Sequence, residues 1–251
     1  MLRVGCVEYI NALPIHFPFQ GGHIPCSSAF TFAIPSVLNG LLRENKLDVA
    51  LSSSVEYLDG NYRLVPGFGI VGLQQVLSVN LYTRLPVNAL EGARIGLTHH
   101  SAASISLLKV LFRHHWRVAP QLEPLDRKEL LTGYDAFLLI GDEALEQLTI
   151  PGFQTIDLAT AWHEMTGLPF VFAVFSARNE VSFSSLEILQ QELDAALAWS
   201  SAHREAIEKA AMKQCQMTPE LVRNYYTVLG YRLGSQEIES LELFRKLRHN
   251  V

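Results

Sequence analysis

Two serine clusters carry the strongest chemical signal in this sequence. Ser52-Ser53-Ser54 directly follow the apolar run Asp48–Leu51 and precede Val55-Glu56-Tyr57-Leu58. Small hydroxyl residues at a strand's end, opening a helix, suit an anion: free backbone N–H groups point outward, the helix dipole favours negative charge, and hydroxyls add donors. The arrangement recurs later, where Arg94–Leu97 reads as a strand and Ser101 and Ser104 open a helix. Each cluster alone fits ordinary helix capping. Two of them point to a small anionic ligand held at strand ends, where open α/β sheets bind their ligands.

Other chemistries lack their context. Gly67-Phe68-Gly69-Ile70-Val71-Gly72 spells GxGxxG, with Glu91 further on, but Val76–Tyr82 favours an extended segment where a dinucleotide site needs a helix. These read as turn glycines. Nine histidines include the adjacent pairs His99-His100 and His114-His115, whose side chains diverge, and His163-Glu164 has no second His one turn on. The three cysteines, Cys6, Cys26 and Cys215, are too scattered for a finger or a disulfide framework. No GxSxG is present. The expectation is no metal, no cofactor and no hydrolase nucleophile.

The elements that must position the serines follow from periodicity. Leu2–Val7, Asp48–Leu51, Val76–Thr83, Arg94–Leu97, Ala136–Ile140 and Phe170–Phe175 read as strands, several apolar on both faces. Pro35–Glu44 and Ser101–Phe112 read as helices, and residues 184–213 and 218–250 as an almost wholly helical C-terminal part, with a start at Thr218-Pro219. Such alternation makes the fold class α/β. Breaks after Thr83 and at Ser176–Asn179 predict two crossings between two lobes. Lobe I is then discontinuous, 1–83 plus 177–251, and lobe II, 84–176, is inserted.

Composition sets the outer bounds. Hydrophobic residues at 49% against 18% charged support a sizeable core. A net charge of −5 without any Lys/Arg run argues against nucleic acid. No apolar stretch approaches the roughly 18 residues of a membrane span, and Met1–Val7 reads as a buried strand, not a leader. The expected location is cytoplasmic.

Several stretches, in order over about residues 1–175, resemble the chorismate dehydratases of the futalosine route to menaquinone. They are Tyr9-Ile10-Asn11-Ala12-Leu13-Pro14, Leu47–Tyr57, Gly69-Ile70 with Val76-Leu77-Ser78-Val79, Leu139–Leu145, and Asp157-Leu158 through Trp162 with Thr166–Ala173. The C-terminal helices fit loosely. The resemblance implies a two-lobed periplasmic-binding-protein-like (type II) fold and a lyase activity, dehydration of chorismate to 3-[(1-carboxyvinyl)oxy]benzoate. It implies Asn11 and Ser78 as the polar groups at the reacting centre. Tyr9, Ser53, Ser54, His100, Ser101, Ser104 and Asp142 become substrate contacts in a cleft lined from both lobes. Where the family has Ser-Arg-Thr-Ser, this chain has Ser101-Ala102-Ala103-Ser104. That departure favours one alternative, a non-catalytic small-anion binding or sensor protein of the same fold; the other is the sister 1,4-dihydroxy-6-naphthoate synthase, which carries a His where this chain has Gly141-Asp142.

Overall fold

The computed structural model describes residues 1–98 and 101–249. The chain divides into two compact units: Met1–Ile70 with Phe172–Gly234, and Val71–Val171 with Ser235–Val251.

The first unit is built on strands β1 (Arg3–Val7), β2 (Ala29–Ala33), β3 (Val49–Ser53), β4 (Tyr62–Gly72), β10 (Phe170–Arg178) and β11 (Leu229–Gly230), in the order β11-β4-β10-β3-β1-β2. β1 runs parallel to β2 and β3, while β10 runs antiparallel to β3. Val4, Gly5, Cys6 and Val7 of β1 are all buried, as expected for a strand covered on both faces. Helices α1 (Leu13–Gln20), α2 (Pro35–Arg43), α3 (Ser54–Asp59), α7 (Phe183–Ala202), α8 (Arg204–Gln214) and α9 (Pro219–Val228) complete it. Leu186, Leu189 and Leu193 of α7 and Leu38 and Leu42 of α2 share one core with the sheet. Thr218 caps α9 by accepting the Leu221 N–H at 3.2 Å, with Pro219 in the first turn as its sequence predicts.

The second unit carries β5 (Val79–Thr83), β6 (Arg94–Leu97), β7 (Gln121–Pro124), β8 (Ala136–Ile140) and β9 (Gln154–Asp157), ordered β7-β6-β8-β5-β9. β6 is parallel to β7 and β8, and β5 is antiparallel to β8 and β9. Its helices are α4 (Ala102–Val110), α5 (Gly141–Glu146), α6 (Leu158–Thr166) and α10 (Ser235–Arg248). Among the described residues no helix is long and apolar enough to cross a membrane.

Three expectations change. The division falls at residues 70/71 and 171/172, not at 83 and 176, because β5 pairs with β8 and β9 in the second sheet, whereas Ala173–Ala177 pair with β3 in the first. The helical C-terminal part is shared between units: Ser240 of α10 accepts the Trp162 indole N–H at 3.0 Å and donates to the Pro169 carbonyl at 2.5 Å, and Phe244 packs edge-on against Trp162. The GxGxxG run is not a turn but the last part of β4. At Gly69 a Cβ would stand 2.7 Å from the Ala173 carbonyl oxygen, so glycine allows close approach of the β10 backbone.

Candidate functional site

In the first unit, β1 leads through a single 3₁₀ turn, Ile10–Ala12, into α1. The turn places Asn11 past the C-terminal end of β1. Asn11 Oδ1 is buried and has no hydrogen-bond partner among the described residues. An acceptor taken from water without a partner costs about 1–3 kcal/mol, a cost that a bound ligand would relieve. The segment itself is fixed: the Tyr226 hydroxyl donates to the Ile10 carbonyl at 2.8 Å, and the Ala12 N–H to the Tyr9 carbonyl at 3.0 Å. Tyr9 is half-buried at the start of this turn.

β3 ends beside it. β1 and β3 are adjacent and parallel, with Val4 opposite Val49 and Gly5 opposite Ala50, so the chain after each strand emerges at the same sheet edge. The three serines there divide the work. Ser52 is buried and pairs with Ser176 of β10, Oγ to Oγ at 2.6 Å. Ser53 caps α3, accepting the Glu56 N–H at 3.1 Å. Ser54 is wholly buried and its hydroxyl lacks a partner among the described residues. Since α3 has only 6 residues, its dipole adds little, and side-chain donors outweigh it. Glu56 is engaged elsewhere, receiving Arg43 through both carboxylate oxygens and the Tyr62 hydroxyl at 3.3 Å.

The second unit gathers its own set at one edge of its sheet. β5 is antiparallel to β8, with Val79 opposite Ile140, so the residues before β5 lie beside those after β8. The Gly141 N–H donates to the Ser78 carbonyl at 2.7 Å. Gly141 takes φ +63°, a left-handed turn that suits glycine and brings the chain into α5, where Asp142 is half-buried. β6 is parallel to β8, so Ser101 opens α4 at this same edge. Ser101 caps the helix by accepting the Ser104 N–H at 3.2 Å, and the two hydroxyls lie 2.8 Å apart. His100 lies outside the described residues.

Ser78 is held by a device that sequence reasoning missed. Residues 76–78 form a turn before β5, not the first part of the expected strand, and Leu77 sits at φ +60°. Asp157 Oδ2 accepts the N–H groups of Val76 and Leu77 at 2.9 and 2.6 Å, while Oδ1 accepts those of Ala159 and Thr160 at 2.9 and 3.0 Å. One carboxylate thus caps α6 and clamps the turn. Burial pushes the Asp157 carboxyl above its ordinary value, and the four N–H bonds pull the other way. Asn80 adds a bond from Nδ2 to the Leu77 carbonyl at 2.7 Å. An Asp just before the apolar Leu158-Ala159 was a visible cap signal; its second pair of partners was not.

A family model described as menaquinone biosynthesis matches residues 2–250. This chain belongs to that menaquinone biosynthesis family. A relative, the protein from Thermus thermophilus named chorismate dehydratase, is 30% identical, covering 96% of this chain and 93% of its own. Among solved structures, a protein from Archaeoglobus fulgidus superposes with a TM-score of 0.80 at 18% identity, covering 99% of this chain and 97% of that one. The periplasmic aliphatic sulphonate binding protein from Escherichia coli gives 0.71 at 13% identity, covering 99% and 91%. At such identities these two establish the fold, an α/β periplasmic-binding-protein-like one. In this family member the strand-end residues named from sequence occupy two sheet edges: Tyr9, Asn11, Ser53 and Ser54 at one, Ser78, Ser101, Ser104 and Asp142 at the other.

Proposed function

We propose that this protein is a chorismate dehydratase, a carbon–oxygen lyase of menaquinone biosynthesis. The observation that carries the reading is the relative of that name, 30% identical along 96% of the chain. In the reaction the C–H bond at the ring carbon bearing the enolpyruvyl ether breaks and its electrons complete the aromatic ring. The neighbouring hydroxyl departs with a proton as water, leaving 3-[(1-carboxyvinyl)oxy]benzoate. Aromatisation drives the step, so positioning and charge stabilisation are the protein's main tasks.

The residues at the two sheet edges suit those tasks. Asn11 offers a donor and an acceptor without a charge, and Ser78 a hydroxyl; we assign them to the reacting centre. Tyr9, Ser53, Ser54, Ser101, Ser104 and Asp142, with His100, are assigned to substrate binding. The pairing of Glu56 with Arg43 removes that carboxylate from the role of base, and we assign the proton to a carboxylate of the substrate instead. The same reading makes this a cytoplasmic enzyme, a reducing setting in keeping with the free thiols of Cys6, Cys26 and Cys215.

One observation favours a second reading. Ala102 is exposed and Ala103 buried in the first turn of α4, where the resembling family carries Arg and Thr, so donors to an anion are missing. A binding or sensor protein of the same fold would tolerate that loss. Incubation with chorismate separates the two. An aromatic absorbance with a product one water lighter supports the dehydratase. Saturable binding of chorismate without product supports the binding protein.

A further inference from the structure

The first unit holds a cavity of about 440 Å³ that none of Tyr9, Asn11, Ser53 or Ser54 lines. It is walled by α7, α8 and α9 and by the start of α1. That volume lies within the range of small-molecule pockets. Pro14, Leu197, Ile207 and Leu229 give it an apolar body, and Tyr226 adds an aromatic wall.

Its charge is unbalanced. Arg204, Arg223 and Arg232 line it against a single carboxylate, Glu208. Arg232 is paired with Asp194 at 2.5 Å. The guanidinium groups of Arg204 and Arg223 have neither an ion pair nor a hydrogen bond among the described residues. Two unpaired guanidinium groups beside a largely apolar cavity with two tyrosines, Tyr226 and Tyr231, match a ligand with a hydrophobic body and one carboxylate, which a guanidinium receives through two parallel hydrogen bonds.

We propose that this cavity is a second binding site, for a small aromatic carboxylate. Its position gives it a route to the Asn11 segment: Tyr226 donates to the Ile10 carbonyl at 2.8 Å, and Ser200 to the Pro14 carbonyl at 2.8 Å, so two lining residues hold the turn and helix start on either side of Asn11.

Sodium 3-hydroxybenzoate is the probe, titrated calorimetrically into the whole protein and into Arg204→Glu, Arg223→Glu and Asn11→Ala. Both arginines are exposed, so their replacement leaves the fold intact, checked by thermal melting. The expected result is a saturable binding component that each charge reversal weakens about tenfold or more and that Asn11→Ala leaves unchanged. Absence of saturable binding to the wild type overturns the proposal. So does binding that Asn11→Ala abolishes and the arginine variants leave unchanged, which would assign the probe to the strand-end site.

Discussion

The backbone N–H of Leu77 donates to Oδ2 of Asp157 at 2.6 Å. That bond ties the turn that delivers Ser78 to the N-terminus of α6, whose own N–H groups bind Oδ1 of the same carboxylate. Asp157→Ala removes a cap and a turn clamp together and is expected to cost about 2–4 kcal/mol in urea denaturation. As a positioning residue it should also lower kcat on chorismate more than it raises KM, since Ser78 is then free to leave its place. Asp157→Asn presents an acceptor to one pair of N–H groups only and should fall between alanine and wild type.

Ser52 and Ser176 form a closed hydroxyl pair inside the first sheet, 2.6 Å apart and wholly buried. Ser176→Ala strands the Ser52 hydroxyl and should cost about 1–3 kcal/mol. The double variant Ser52→Ala/Ser176→Ala should lose less than the sum of the singles, measured as a coupling free energy by equilibrium unfolding. Additive losses would mean that the hydroxyls do not depend on each other.

Glu56 is a structural carboxylate in this arrangement. Loss of a general base typically costs about 10²–10⁴ in rate. Glu56→Gln is expected to fall well short of that in turnover of chorismate, while lowering Tm because the Arg43 pairing is weakened. A rate loss in the general-base range with an unchanged Tm would make Glu56 the base.

His16 makes stability depend on pH. Its ring is buried, Nδ1 pairs with Gln20 Oε1 at 2.9 Å, and Nε2 has no partner among the described residues. Burial lowers its pKa from 6.5 to about 4, against the opposing hydrogen bond to Gln20. The folded chain therefore holds His16 neutral where the unfolded chain has already taken up a proton. As pH falls from about 6.5 to about 4 the contribution of His16 to stability drops by about 3 kcal/mol, then levels off. Urea unfolding across that range should show this slope in the wild type and lose it in His16→Gln.

Much of the scaffold was legible because local signals agreed. The apolar run at β1, the serine opening α4 and the Thr218-Pro219 start of α9 each carry their own chemistry within a few residues. What stayed hidden depended on distance. β4 is interrupted in sequence by Pro66 and three glycines, Gly67, Gly69 and Gly72, and becomes a strand because β10 and β11 pair with it. β5 looked like the end of the first lobe, since nothing in Val79–Thr83 reveals that its partners are β8 and β9. Of three consecutive serines, the sequence could not say which would cap, which would pair and which would be left with a free hydroxyl. Asp157 announced its cap but not its hold on Leu77, 80 residues earlier.

Asn11 is the residue on which the functional account turns. Its buried Oδ1 has no partner among the described residues, so Asn11→Ala removes no hydrogen bond seen there and should leave Tm unchanged or slightly raised. Loss of one positioned polar contact to a transition state costs about 10²–10³ in rate. The decisive measurement is the initial rate of aromatic product formation from chorismate by wild type and Asn11→Ala at saturating substrate. The account predicts steady turnover by the wild type and a fall of about 10²–10³ in the variant with its melting intact. Near wild-type turnover by Asn11→Ala would contradict the site, and a wild type that binds chorismate without forming product would contradict the dehydratase itself.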